Sequence, residues 1–148
     1  MIEKLDAMPI LVNACPSFED AWHAHLREFG DDTHYVAAGE FAHHLLRLFQ
    51  ANETSTFVRV GEALERLIVE GSPFVQGLAV VGVLEGIQNI WSNNKADPEA
   101  FFPYLGLEGR NAWEELNRAW YELFAMRGPV DFAAGQGRRV VDVCLMLK

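Results

Sequence analysis

The sequence predicts an all-α protein, arranged as an antiparallel helical bundle or as a short HEAT-like stack of helix pairs. Apolar residues recur at helical spacing in several segments, and no segment alternates with period two over a comparable length. Caps, prolines and glycines stand at the ends of these segments. The connections at 70–73 and 92–98 are short, which forces long neighbouring helices to run antiparallel.

The helix boundaries are predicted from these end signals, taken in chain order. Ser17, followed by Asp20, gives a start like a capping box, and Gly30 ends that helix. Ser-Pro at 72–73 and Asp-Pro at 97–98 are caps followed by proline at the first helical position. The predicted helices lie near 9–14, 17–29, 33–50, 55–70, 73–92, 98–104 and 108–125.

Three of these helices carry a clear apolar stripe. The stripes consist of Phe18, Trp22, Leu26 and Phe29; of Phe57, Gly61, Leu64 and Ile68; and of Trp113, Leu116, Trp120, Leu123 and Phe124. Core packing is expected for each stripe, although a Trp at the edge of the last one could anchor a partner.

A chain of 148 residues fits a single helical domain. Residues 127–148 differ from the rest in being basic and rich in glycine. We expect this tail to dock on the body as a final helix, with an added strand as the alternative.

Charge is distributed unevenly, and the formal net charge is −9. Residues 1–126 contain 8 Lys and Arg against 19 Asp and Glu, whereas 127–148 contain 4 against 2. Proteins bind phosphate backbones by neutralising them with Lys and Arg, so the acidic body argues against nucleic acid as the ligand. A basic protein is the more plausible partner.

The sequence favours the cytoplasm. Cys15 and Cys144 have no ligand-like spacing, and reduced, buried thiols are favoured over a disulfide between them. The first residues do not resemble a signal peptide. The apolar stretch from Phe74 to Leu84 is too short to span a bilayer.

The apolar segment AVVGVLEGIQNIW, residues 79–91, contains a single carboxylate, Glu85. On a helix it shares one face with Gln88, Asn89 and Ser92 and is the innermost member of this polar stripe. It is expected either to reach solvent or pair with an arginine of a neighbouring helix, or to face a partner or ligand. The GxxxG spacing at 82–86 favours close helix packing.

All five histidines lie between 23 and 44. Two helices repeat acid, His and Arg at i, i+3 and i+7, as Asp20, His23, Arg27 and as Glu40, His43, Arg47. These stripes are either solvated faces, a recognition surface, or ligands of a carboxylate-bridged metal centre. The metal centre would need its ligands to point into the core, whereas both stripes are predicted to point away from it.

Motifs for catalysis are missing. There is no GxSxG elbow, no phosphate-binding glycine loop and no HExxH zinc signature, so neither a cofactor nor a metal is predicted. Arg110, Glu114, Arg118 and Glu122 alternate in sign along one helix, as is typical of an exposed face.

Three segments carry a family resemblance: VVGVLEGIQNIW, DPEAFFPYLGLEGRNAWEELNRAW and YVAAGEFAHHLLRLF. They resemble a family of small bacterial helical proteins known only as a domain of unknown function, over about residues 5–125. The shared pattern is a Leu-Gly turn, an acidic segment with arginine and a Trp-rich helix, here Leu105, Gly106, Glu108, Arg110, Trp113, Leu116 and Trp120. The resemblance implies no catalytic residue. Proteins of this general kind are similar, by analogy, to immunity proteins and antitoxins.

The predicted function is therefore a non-enzymatic binding protein, most concretely a bacterial immunity protein that covers a more basic toxin domain. It would act as a monomer or weak homodimer, without nucleic acid or membrane. The predicted partner-binding residues are Asp20, His23, Arg27, Glu40, His43, His44, Arg47, Glu85, Gln88 and Asn89. The alternatives are a metal-binding or hydrolytic helical enzyme that uses the two His stripes, and a HEAT-like adaptor.

Overall fold

The structure, a computed structural model, describes residues 1–127 and is all-α over that range. The predicted docking of the tail concerns residues outside it. The helices are α1 (Lys4–Ala14), α2 (Glu19–Phe29), α3 (His34–Gln50), α4 (Phe57–Glu70), α5 (Pro73–Asn93) and α6 (Leu107–Arg127). Short 3-10 turns lie at Pro16–Phe18, Pro98–Ala100 and Phe102–Tyr104.

Two predicted boundaries were wrong, and proline is involved in both. α1 begins five residues earlier than expected, at Lys4, so Pro9 lies inside the helix and not at the first helical position that proline favours. The helix predicted near 98–104 is instead a pair of 3-10 turns, because Pro103 cannot donate a hydrogen bond and crowds the preceding turn. Ile2 forms an isolated bridge to Gly71, which fastens the start of the chain to the α4–α5 turn.

Two pairs of consecutive helices, α2 with α3 and α4 with α5, form antiparallel hairpins, as their short connections predicted. In α2 and α3, Ser17 meets His44 while His25 meets Thr33 and Glu40. In α4 and α5, the Phe57 ring lies 6.4 Å from that of Trp91, and the Gln76 side chain donates to the carbonyl of Ile68. The chain is thus built from helix pairs.

The central helix is α5, which contacts α1, α3, α4 and α6. It starts at a Ser72 cap, and its middle, Leu78–Leu84, is a π-helix. The helix is 21 residues long, and an 18-residue stretch of it has a mean hydropathy of 1.2, so it is long and apolar enough to cross a membrane. Of that stretch, 56% is buried within the protein. A buried core helix passes the same test, so its composition is explained by packing.

Small residues let α3 and α5 approach closely. A Cβ added at Gly82 would lie 2.8 Å from the Cβ of Ala38, and one added at Gly86 would lie 3.2 Å from that of Ala42. The GxxxG spacing therefore serves helix packing, as expected. Farther along, the indole of Trp91 is fully buried and donates to the carbonyl of Ala42 at 3.3 Å.

The Leu-Gly turn is built into the junction of α4 and α6. Gly61 lies directly against the backbone carbonyl of Tyr104, so no larger residue fits there. Glu65 accepts the backbone N–H groups of Glu108 at 2.8 Å and of Gly109 at 2.9 Å. A carboxylate at this position satisfies donors that the first turn of α6 would otherwise leave unpaired.

The four residues of the predicted charge ladder on α6 are exposed, as expected, but Arg110 also contacts the preceding turn. Its guanidinium donates to the carbonyls of Leu105 at 2.9 Å and Pro103 at 3.1 Å, and it lies 5.3 Å from the centre of the Phe102 ring. These bonds hold the 3-10 segment against the start of α6. Bonds of this kind depend on side chains meeting the backbone of a turn, which helical spacing alone does not reveal.

Candidate protein-binding face

Three shallow grooves lie side by side along α1 and α4. The first, about 430 Å³, separates α1 from α2; the second, about 530 Å³, separates α1 from α4. The third, about 420 Å³, lies between α4 and the turn at 104–106. Pro9 and Asn13 line both the first and second grooves, and Arg66 and Glu70 line both the second and third. The three grooves therefore form one continuous surface, called here the grooved face.

Acidic groups dominate the grooved face. Its charged lining residues are Asp6, Glu19, Glu62, Glu65, Glu70 and Arg66, with His23 as a titratable neighbour. Arg66 is already paired with Glu70 at 3.1 Å, one helical turn along α4. Because the single arginine is neutralised in this way, the surface presents net negative charge.

Apolar side chains are exposed on the same face. Val58 and Val69 line the third groove and are 53% and 59% exposed, and Met1 lines the second. Exposed apolar residues within a polar rim mark many protein interaction sites. The grooved face thus combines the charge and the apolar surface that a protein partner would bury.

A buried histidine supports the first groove. His25 is only 3% exposed, and its ring lies parallel to the indole of Trp22, with centroids 5.8 Å apart. Its Nδ1 lies 3.1 Å from a carboxylate oxygen of Glu40, and its Nε2 lies 2.8 Å from the hydroxyl of Thr33. Both ring nitrogens are thus satisfied, and the imidazole forms a fixed backing for Trp22.

The inner stripe of α2 differs from the predicted one. His25 is buried, whereas Leu26 is half-buried and Phe29 is exposed. His25 lies three residues after Trp22 and four before Phe29, so helical spacing is compatible with its burial on the apolar side of α2. Its hydrogen bonds to Glu40 and Thr33 arise only where α2 packs against α3.

His44 is held by a serine at the start of α2. Ser17 Oγ and His44 Nε2 lie 2.8 Å apart, and the Cys15 thiol lies 3.5 Å from the same hydroxyl. Burial, and secondarily the charge of Arg47, lowers the pKa of His44 below its usual 6.5. A serine beside a neutral imidazole can act as a nucleophile, but neither residue lines any of the three grooves.

His34 is a second histidine whose pKa is lowered below its usual value. It is buried against Phe74, and its Nδ1 has no hydrogen-bond partner among residues 1–127. Burial is the main cause that lowers its pKa, and the ammonium of Lys4 adds to the effect. Lys4 itself is paired with Asp32 at 3.1 Å.

The polar stripe of α5 contacts α6 through Gln88. Glu85 is 2% exposed, so it neither reaches solvent nor presents itself to a partner in this structure. The amide of Gln88 donates to the Trp113 carbonyl at 3.3 Å and to the Asn117 side chain at 3.2 Å. Asn89 accepts a bond from Asn93 on its own helix at 3.4 Å. This stripe joins two helices of the protein.

The remaining predicted residues are dispersed. Asp20 and Arg27 are exposed on α2, and Arg47 is exposed on α3, where it bonds to Nδ1 of His43 at 3.1 Å. Of the ten predicted partner-binding residues, His23 lines the grooved face. Within the described part of the chain, no three His, Cys, Asp or Glu side chains gather closely enough to hold a metal ion.

Sequence reasoning missed most of the grooved face. Helical spacing places Trp22 in an apolar stripe. The acids at exposed positions of α1 and α4 follow no repeated spacing, so they do not indicate a binding face. Their common surface results from packing α1 between α2 and α4. Only the excess of acidic residues was visible in the sequence.

Comparison with known proteins gives a family without an assigned activity. The model of a family described as Domain of unknown function (DUF7674) matches residues 8–121. No curated protein and no solved structure matches the chain.

Proposed function

The chain belongs to the DUF7674 family, and from this premise we propose that it is a non-enzymatic protein that binds a more basic protein through its grooved face. Its most concrete form is a bacterial immunity protein or antitoxin that neutralises a toxin domain in the cytoplasm by covering it. The immunity role is an analogy with other small, acidic, helical proteins.

One observation carries the proposal: acidic side chains and exposed valines occupy the same continuous surface. Negative potential would speed the encounter with a basic partner. The valines would then be buried in the interface, where apolar contacts hold a complex together. Neither property alone would favour a specific basic partner as strongly.

The test compares two doubly charge-reversed variants of the full chain. Asp6→Lys/Glu62→Lys changes two exposed acids of the grooved face whose side chains make no hydrogen bond or ion pair within the described residues. Glu114→Lys/Glu115→Lys makes the same charge change on exposed positions of α6 outside the three grooves. Circular dichroism should show equal helicity for both variants.

Tagged proteins would be used to capture partners from extracts of the native host at low salt. A basic protein should be retained by the wild type and by the α6 variant, lost from the Asp6→Lys/Glu62→Lys variant, and released by about 0.5 M salt, which screens exposed charges. Equal retention by both variants, or capture only of acidic proteins, would contradict the proposal. Inhibition of the captured protein's activity would then test the immunity role.

Reversal of Glu40 together with Asp20 is a poorer test of the predicted stripes. The Glu40 carboxylate bonds to buried His25, so a lysine there would unpair an internal group. Loss of binding could then arise from altered packing of α2. Asp20→Lys alone, on an exposed side chain, tests whether the α2 stripe contacts the partner.

A further inference from the structure

The groove between α1 and α2 is the one of the three that is lined by an indole and a histidine. The residues that give it chemical character are Asn13 on α1 and Glu19, Trp22 and His23 on α2. Pro9 and Pro16 form parts of its walls. Neither lysine nor arginine lines it, so its negative charge is not neutralised from within the groove.

Glu19 and Trp22 stand at positions i and i+3 of α2, which places their side chains on the same side of the helix. A carboxylate and an indole side by side attract a cation in two ways. The carboxylate provides charge-assisted hydrogen bonds, and the ring attracts positive charge over its face.

The position of Trp22 is set before any ligand arrives. The His25 ring is stacked on it with an interplanar angle of 11°, and His25 is itself held by Glu40 and Thr33. Because His25 is held in this way, the Trp22 indole has a fixed ring against one side. Little side-chain freedom would therefore be lost on binding, which favours affinity.

A guanidinium group matches this arrangement better than an ammonium. It is planar, stacks on an indole, and can give two parallel N–H bonds to one carboxylate. Lysine offers a compact, strongly hydrated charge that does neither as well. The Asn13 amide on the opposite wall has an oxygen that can accept a further N–H bond.

We propose that the groove between α1 and α2 binds an arginine side chain of the basic partner, stacked on Trp22 and bonded to Glu19. This inference rests on the proposed function, because it names the group by which that partner is anchored. Arginine is among the residues that most often dominate interface energetics.

The test uses the full chain and small probes in place of the partner. N-acetyl-arginine amide is titrated into labelled protein while the indole N–H signal of Trp22, assigned with a Trp22→Phe variant, is followed by NMR. N-acetyl-lysine amide and the uncharged N-acetyl-citrulline amide serve as comparisons. The Trp22 signal should shift in a saturable way with the arginine probe, at millimolar concentrations.

Glu19→Gln should weaken binding of the arginine probe by about tenfold, the size expected for a charge-assisted bond. Glu28→Gln, on an exposed position of α2 outside the groove, is the matched control and should leave it unchanged. The absence of a Trp22 shift would overturn the inference. So would equal binding of citrulline or lysine, or equal effects of the two variants.

The same variants separate this inference from the proposed function. If Asp6→Lys/Glu62→Lys abolishes capture of a basic protein while Glu19→Gln does not alter it, the partner binds the grooved face without the arginine anchor. If the arginine probe binds at Trp22 but no basic protein is captured, the site stands and the proposed function fails.

Discussion

Individual side chains in this protein often serve an element other than their own. Glu65 belongs to α4 but caps α6, Arg110 belongs to α6 but holds the preceding turns, and His25 unites α2 with α3. Each is charged or titratable, and helical spacing alone does not reveal the partner of any of them. Their roles follow from backbone and side-chain groups that only the fold brings near.

Replacing Glu65 should loosen the start of α6. Glu65→Ala removes both acceptors of the Glu108 and Gly109 N–H groups, and we expect a loss of about 1–3 kcal/mol in the free energy of unfolding. Urea unfolding would measure it. Glu62→Ala, one turn earlier on an exposed position of the same helix, should change stability by less than about 0.5 kcal/mol. Equal effects would show that the cap is energetically unimportant.

His34 and His44 should make the protein less stable in acid. His34 and His44 both have a pKa below 6.5 in the folded state, so the unfolded chain takes up their protons first as the pH falls. Their contribution is fully present above the unfolded pKa and is lost as the pH falls below about 6.5 and through the lower folded pKa values. Unfolding midpoints should therefore fall as the solution is acidified below about 6.5.

His44→Gln isolates one of these contributions. It keeps a polar group facing Ser17 but cannot be protonated, so the decrease in stability on acidification should be smaller than in the wild type. A decrease as large as that of the wild type would mean that His44 is not protected from protonation by the fold.

Glycines allow some of the helices in this fold to come into close contact with their neighbours. The α3–α5 contact uses Gly82 and Gly86, and α4 meets the 3-10 segment at Gly61. Helix propensity disfavours glycine by about 1 kcal/mol relative to alanine. Close packing explains a glycine in a helix interior where an added Cβ would collide with a neighbour, and does not explain one where the added Cβ would meet open space. The structure separates the two cases.

Two Gly→Ala substitutions should have opposite effects. At Gly61 a Cβ would collide with the backbone carbonyl of Tyr104, and we expect destabilisation of at least about 2 kcal/mol. At Gly39 on α3 nothing lies within 4 Å of an added Cβ, so the variant should gain about 0.5–1 kcal/mol from helix propensity. Thermal unfolding of both variants would measure this, and a tolerated Gly61→Ala would contradict the close α4 contact.

The whole molecule combines an acidic exterior with a central apolar helix. α5 is apolar enough to cross a membrane by composition, yet α1, α3, α4 and α6 all contact it. Because α5 is buried, the molecules that the surface attracts depend on its polar and acidic residues. With a net charge of −9, that surface should repel polyanions.

The full chain should therefore fail to bind DNA even at low ionic strength. A mobility-shift assay at about 0.05 M salt, where the Debye length is longest and non-specific binding strongest, should show no complex up to micromolar protein. A salt-sensitive shift would indicate that the basic tail outweighs the body. The Asp6→Lys/Glu62→Lys variant, which is less acidic, should also give no shift.

The sequence by itself determined the helical class, most helix limits and the acidity of the body, because these depend on residue spacing, end signals and composition along one chain. Trp22, Glu19 and Asn13 could each be seen there, but not their meeting in one groove. Tertiary structure alone decided that meeting, the hydrogen-bond partners of His25, and the use of Glu65 as a cap. The physical reason is that these features depend on which helix packs beside which, and that follows from close contacts between side chains far apart in the chain.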